Sequence, residues 1–160
     1  IKTKNYLYLN NGINIMKIRK ATLKYFNELY KFGLKTKELK VSPKEEFMRP
    51  EEFKYSIKNK KGIFLLAEDN KKIVGFIYGD SEDGDRVLKS VACLVYIAVD
   101  KKYRGKGVGS ILYNDCVKEF KKRKVKHIYA WANPKSGIVD FFKKKGFVKG
   151  NYEIWMDKDI

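Results

Sequence analysis

The sequence predicts an α/β domain, with strands and helices following one another in the order β-α-α-β-β-β-α-β-α-β. Residues 91–99 are almost wholly apolar and β-branched, which reads as a buried strand. Residues 110–120 read as a helix, because Val108, Ile111, Leu112, Cys116 and Phe120 recur at helical spacing on one face. Between them runs Arg104-Gly105-Lys106-Gly107-Val108-Gly109, a glycine-rich turn. Glycines let a backbone approach a ligand closely, and the first N–H groups of a helix point outward with the positive end of its dipole. A strand, such a turn and a helix together make an anion site.

The remaining elements follow in order. Residues 1–15 are polar and Asn-rich, and read as an N-terminal extension or an extra edge strand. Residues 16–22 form the first strand proper. Thr22 is a candidate helix cap, with Leu23, Phe26, Tyr30 and Leu34 recurring at helical spacing after it. Residues 36–49 are charged, contain Ser42-Pro43 and read mostly as loop. Pro50, Glu51 and Glu52 make a helix start, with proline in the first turn and acids at the positive end of the dipole. Residues 63–67 and 73–78 are the strands of a hairpin joined by residues 68–72. A polar turn over 80–85 leads into the long apolar strand. Beyond the glycine turn and its helix, residues 127–131 form another strand, and Asn133-Pro134 breaks the chain. A short helix over 138–145 ends at Gly146, and residues 152–156 form a last strand.

Length and composition bound the possibilities. A chain of 160 residues, 44% hydrophobic, is one globular domain with room for a core. The apolar run at 91–99 is too short to span a bilayer. No N-terminal stretch has the pattern of a secretory signal, and Cys93 and Cys116 alone make no disulfide framework. The expectation is a reduced, cytoplasmic protein that is monomeric or homodimeric. The formal net charge is +17, from 36 Lys plus Arg against 19 Asp plus Glu. Only five of those 36 are Arg, the residue that bidentate phosphate and base recognition favours. Lys121-Lys122-Arg123-Lys124 and Lys143-Lys144-Lys145 fall at helix C-termini, where they complement the dipole. Nucleic acid is therefore not the expected partner.

Spacing separates three kinds of phosphate loop. A nucleoside-triphosphate loop needs Gly, four residues and Gly-Lys-Ser/Thr, whereas Val108 follows Gly107 here. A dinucleotide loop begins directly after its strand and needs an acid about 20 residues on. Here five residues separate Val99 from Gly105, and residues 127–131 carry no carboxylate. The third pattern fits. Arg-x-x-Gly-x-Gly, preceded by Ile97-Ala98-Val99-Asp100 and Tyr103, resembles the acetyl-CoA loop of the GNAT family of N-acetyltransferases.

The resemblance runs from about Met16 to the C-terminus and assigns residues 16–160 to an N-acetyltransferase domain. It implies the acyl-CoA N-acyltransferase fold, a central twisted mixed sheet flanked by helices. The strands ending near Val99 and Trp131 would splay apart around the pantetheine arm. Ile97, Ala98 and Val99 would pair with that arm. Arg104, Gly105, Lys106, Gly107, Val108, Gly109 and Ser110 would hold the pyrophosphate. Asn133 matches a position that often hydrogen-bonds pantetheine. Phe142 and Lys144 lie in the segment matching the second cofactor motif. The co-substrate implied is acetyl-CoA, with no metal. The partner implied is an amine acceptor, peptide or small molecule.

Acetyl transfer to an amine requires a deprotonated nitrogen, a polarised thioester carbonyl and a proton for the leaving thiolate. Many family members place a Tyr four residues before the position of Gly146. This chain has Phe142 there, which cannot donate a proton, so Tyr129 and Tyr152 become alternative donors. Members often carry Glu six residues before the position of Val99, where this chain has Cys93. Cys93 and the neighbouring Tyr96 are the catalytic candidates. Glu68, Asp80 and Glu82 are carboxylates that could act through water, and His127 is the lone histidine. A non-catalytic acyl-CoA-binding regulatory module is the alternative reading, with a basic nucleic-acid-binding protein behind it. Protein N-termini, lysines, polyamines and small amines all remain open as acceptors.

Overall fold

Among the described residues, six strands line up in chain order as one sheet. They are β1 (Lys4–Leu9), β2 (Ile13–Lys20), β3 (Gly62–Asp69), β4 (Lys72–Asp80), β5 (Val91–Val99) and β6 (His127–Ala130). Four α-helices flank them: α1 (Phe26–Lys35), α2 (Pro50–Lys58), α3 (Val108–Lys122) and α4 (Ile138–Lys144). This computed structural model describes residues 2–9, 13–40, 42, 47–81, 90–134 and 136–151. The strand expected at 152–156 lies outside the described residues.

Strands β1 to β5 pair antiparallel, and β6 joins β5 in parallel, so the sheet is mixed. Within the polar segment ahead of Met16, β1 pairs with β2 along its whole length, Lys4 opposite Ile18 and Leu9 opposite Ile13. Strand β2 accordingly starts at Ile13, three residues before the expected Met16. The β3–β4 turn is also tighter than expected. Asn70 and Lys71 both take positive φ, 47° and 64°, giving a two-residue turn that matches the twist of its strands.

The β5–β6 pairing covers only Val91–Leu94 against His127–Ala130. Among the described residues the β5–β6 register ends at Leu94 while β5 runs on to Val99, and a split opens. A bulge marks the same place. Tyr78 faces Tyr96 but Gly79 faces Leu94, which leaves Val95 as the extra residue. A bulge bends its strand and increases local twist.

The two faces of the sheet bury different chemistry. On one, Val108, Leu112, Cys116 and Phe120 of α3 pack on Met16, Ile18, Ile63, Leu65, Val74, Ile77 and Leu94. Gly79 makes room for that packing, since a Cβ there would lie 2.7 Å from the Phe120 ring. On the other, Phe53 of α2 is the hub of an aromatic cluster, its ring 5.3–6.3 Å from those of Phe26, Tyr30, Phe47, Phe64 and Phe76.

The first helix differs from its expected form. Residues 23–25 make a 3-10 turn, the α-helix begins at Phe26, and the Thr22 side chain makes no capping bond. Leu23 and Leu34 lie outward, while Leu29 and Gly33 face the core. The reason is Phe47, whose ring occupies the space a Gly33 side chain would need, with atoms 2.3–2.9 Å from an ideal Cβ. Residues 36–49 are thus not all loop. Lys37–Leu39 is a 3-10 turn and Phe47 is core. Helix α2 starts at Pro50 as expected, and α4 ends at Gly146, φ 86°, with Phe147 N–H bonded back to the Phe142 carbonyl. Among the described residues no helix is long and apolar enough to cross a membrane.

Candidate functional site

The glycine turn is held from behind before it offers anything in front. Asp100 accepts from the Lys102 N–H through its side chain and from the Tyr103 N–H through its carbonyl. The Tyr103 hydroxyl donates to Asp69 Oδ2 at the end of β3, 2.7 Å away. Arg104 Nε donates to the Val99 carbonyl at 3.0 Å. Gly105 and Gly107 then turn the chain at φ 74° and 83°, values that L side chains rarely adopt. A Cβ on either would meet no protein atom within 4 Å, so the space in front is open.

Gly107 is the N-cap of α3. The first main-chain bond of the helix runs from the Ile111 N–H to the Gly107 carbonyl, so Val108, Gly109 and Ser110 precede any helical acceptor. The first turn carries no acidic residue and the cap no side-chain oxygen, so nothing on α3 itself offsets the dipole. This end of a 15-residue helix opens into the split between β5 and β6. The split is a groove of about 670 Å³. Its walls are residues 94–99 of β5, the glycine turn, residues 136–138 with Phe141 and Phe142, and Thr36, Glu38 and Leu39 from the turn after α1.

Sequence comparison decides the family. The sequence model of the Acetyltransferase (GNAT) family matches residues 24–147. The chain belongs to the GNAT acetyltransferase family. The family uses acetyl-CoA. An uncharacterized N-acetyltransferase, MJ1207 of Methanocaldococcus jannaschii, is 33% identical over 97 residues, 59% of this chain and 43% of that protein. The chain thus spans less than half the length of this curated relative. Two solved structures share the fold. A mutant of the BH1408 protein from Bacillus halodurans superposes with a TM-score of 0.71 at 17% identity, covering 88% of this chain and 98% of that one. AAC(6')-Iy, in complex with the bisubstrate analog CoA-S-monomethyl-acetylneamine, has a TM-score of 0.68 at 15% identity, covering 91% and 99%.

Most of the sequence-predicted cofactor residues of this GNAT protein line the one groove. Ile97, Ala98, Val99, Arg104, Gly105, Gly107, Val108, Gly109, Ser110, Asn133 and Phe142 are all on its wall, as is Tyr96. Phe142 is buried, with Phe147 packed on it at 4.9 Å between ring centroids. Two cofactor candidates lie off the wall. Lys106 has its ammonium 5.6 Å from the Tyr103 ring, and Lys144 is exposed on α4. Cys93 is buried and does not reach the groove either.

Trp131, where the sequence placed the end of the second splayed strand, stands at the split, 65% exposed, with its ring edge-on to Tyr129 at 6.5 Å. Glu38 pairs with Arg104 at 2.7 Å, tying the turn after α1 to the glycine loop. The Arg104 hydrogen bond, aided by its charge, holds the Glu38 carboxyl below its usual range. No motif announces Glu38, because it sits in a charged stretch without period.

A second groove, about 660 Å³, opens on the aromatic face between α2 and β4. It is lined by Met48, Glu51, Glu52, Tyr55, Ser56, Tyr78, Asp80 and the bulged Val95. Val95 thus lines both grooves. Asp80 is 5% exposed. It accepts from the Tyr78 hydroxyl at 2.5 Å and from Asn59 Nδ2 at 2.8 Å. Burial, then the bond to Asp80, pushes the Tyr78 phenol well above its ordinary range. The other carboxylate candidates part company here. Glu68 pairs with Arg19 at 3.1 Å, and Glu82 and Tyr152 lie outside the described residues. His127 is exposed at the start of β6. No cluster of three or more His, Cys, Asp or Glu able to hold a metal occurs among the described residues.

Proposed function

We propose that the chain is an acetyl-CoA-dependent N-acetyltransferase that brings acetyl donor and primary amine together in one ternary complex. The observation that carries this reading is the glycine-capped N-terminus of α3 opening into the split between β5 and β6. The residues present fit a coenzyme with a pyrophosphate and an extended arm. Val108, Gly109 and Ser110 offer N–H groups to the pyrophosphate, and Arg104 adds charge. Past Leu94, where its register with β6 ends, β5 faces the groove at Ile97 and Val99 and offers main-chain groups that a pantetheine amide can pair with, as a strand would. Acetyl-CoA supplies the thioester carbonyl that accepts the nitrogen, and the sulfur that leaves with the bond's electron pair.

The second groove takes the acceptor. Because Val95 borders both grooves, an amine seated on the aromatic face reaches the acetyl end of the cofactor groove at the bulge. Positioning alone supplies much of the acceleration. Phe142 cannot protonate the departing sulfur, and Tyr96 supplies a hydroxyl on the same wall. Protein N-termini, lysine side chains, polyamines and small amines remain the acceptor classes. The neighbour bound to an acetylneamine analog favours testing aminoglycosides among them.

The test is an acetylation assay over peptides with free N-termini, lysine peptides, polyamines and aminoglycosides, read by mass spectrometry. A mass gain of one acetyl group on at least one class is expected. Binding of acetyl-CoA with no acetylation of any class would instead favour a regulatory acyl-CoA module, the reading to which Phe142 lends its weight.

A further inference from the structure

We propose that Asp80 is the proton acceptor for the incoming amine, in a second groove that presents the carboxylate at the bulge. The inference rests on the acetyltransferase reading above. A primary amine arrives as an ammonium, whose nitrogen has no lone pair, so one proton must leave before the carbonyl is attacked.

The strand position where many family members carry Glu is Cys93 here. Cys93 is buried and lines neither groove. The residue directly across the ladder from it, on β4, is Asp80. The carboxylate thus sits one strand over at the same level of the sheet, next to the bulge at Val95. Unlike Cys93, Asp80 lines a groove, and that groove shares Val95 with the cofactor side.

Orientation is the second strand of the argument. The Tyr78 hydroxyl and the Asn59 amide both donate to Oδ2, which fixes the carboxylate plane. The groups around Asp80 also favour a cation. From α2 come Glu51, Glu52 and Tyr55, all on the groove wall. Tyr78 stands beside it on β4, and Cys93 opposite on β5. Lys61 precedes β3, its carbonyl accepting from the hydroxyl of Ser81. In a chain of net charge +17, this groove collects three carboxylates. Glu51 and Glu52 are exposed at its rim, so of the three only Asp80 is buried and held in one orientation.

The proton balance is simple. The ammonium gives one proton to the Asp80 carboxylate, and the freed lone pair forms the C–N bond as the C–S bond breaks. The surplus proton on the acetylated nitrogen then goes to the leaving sulfur through solvent, and Asp80 returns its proton to water.

The test uses full-length wild type and Asp80→Asn with whichever amine the wild type acetylates in the panel above. Asp80→Asn should lower kcat about 100-fold, the low end of general-base effects. Its acetyl-CoA affinity, by calorimetry, should match wild type. The decisive readout is the pH profile of kcat/KM between pH 7 and 9. In Asp80→Asn the rate should climb with the free-amine fraction, about tenfold per pH unit for an amine of ordinary lysine-like basicity, while wild type stays flatter. Tyr78→Phe keeps the carboxylate and removes one donor, and should show a smaller loss with only a partial steepening. It also serves if Asp80→Asn fails to fold. Parallel pH profiles, or an undiminished rate in Asp80→Asn, would overturn the proposal and leave the acetyltransferase reading intact. A wild type that acetylates no amine fails at the earlier step, and both readings fall with it.

Discussion

The two faces of the sheet solve different problems with different materials. The α3 face is mostly aliphatic, and the groove beside it is walled largely by backbone: a glycine turn, a helix end and a strand edge. The α1–α2 face is aromatic, and the groove on it is made of side chains drawn from residues 48 to 95. A backbone site needs a rigid mount, and the loop has one in Asp100, Tyr103 and the bond to Asp69. A side-chain site needs a scaffold that fixes rotamers, and the Phe53 cluster provides that. Loss of mass on the aromatic face should therefore damage stability and acceptor use. Changes in the turn should damage cofactor binding with smaller structural cost.

The comparison can be broken at several points. Phe53 is fully buried among five other rings, so Phe53→Ala should destabilise the fold by about 3–5 kcal/mol in chemical denaturation. Its folded fraction should still bind acetyl-CoA like wild type. A large drop in cofactor affinity would show that the two faces are not separable. Glu38 crosses between them. Its pair with Arg104 is partly exposed, so it contributes little to stability, but it competes for the guanidinium that the pyrophosphate would use. Glu38→Gln should tighten acetyl-CoA binding, by up to about fivefold, the most that a surface pair of this kind is worth. Weaker binding would mean that Glu38 instead positions Arg104.

The smallest effect concerns β1. Lys4 and Tyr6 both bond the buried Asp115 of α3, joining the edge strand to the helix that follows the glycine turn. Burial first, then the bond to Asp115, pushes the Tyr6 phenol from 10.0 to about 12. The folded state keeps that proton where the unfolded chain has lost it. Stability from this contact is therefore complete below pH 10 and falls as pH rises towards about 12. Tyr6→Phe should flatten that part of a stability–pH curve measured by denaturant melts. Tyr30, Tyr78 and Tyr113 also titrate late, so some slope will remain.

What the sequence disclosed follows the same division. The glycine turn, the strand before it and the helix after it were legible because a left-handed turn ahead of a helix needs glycines at fixed places, here Gly105 and Gly107. The cap at Gly146 and the start at Pro50 were legible because each depends on one residue's local conformational preference. The first helix was legible in part: Phe26 and Tyr30 pack on Phe53 as their spacing implies, but Leu23 and Leu34 turn outward, and the packing at Gly33 depends on Phe47, a ring from beyond the next turn. Neither the Asp80–Tyr78–Asn59 network nor the Glu38–Arg104 pair has a sequence signature. Their members are brought together only by strand register and helix placement.

If the N-terminus of α3, opened by Gly107, seats the cofactor, a side chain at Gly107 should weaken its binding. Titration calorimetry of acetyl-CoA into wild type and Gly107→Ala tests it most directly. The added methyl points into open space at a φ of 83°. It should therefore cost about 1–2 kcal/mol of stability, the usual left-handed penalty, and leave the protein folded. The account predicts one acetyl-CoA per wild-type chain and affinity at least tenfold weaker in Gly107→Ala. Equal affinity in a folded Gly107→Ala, or no binding by wild type, would contradict it.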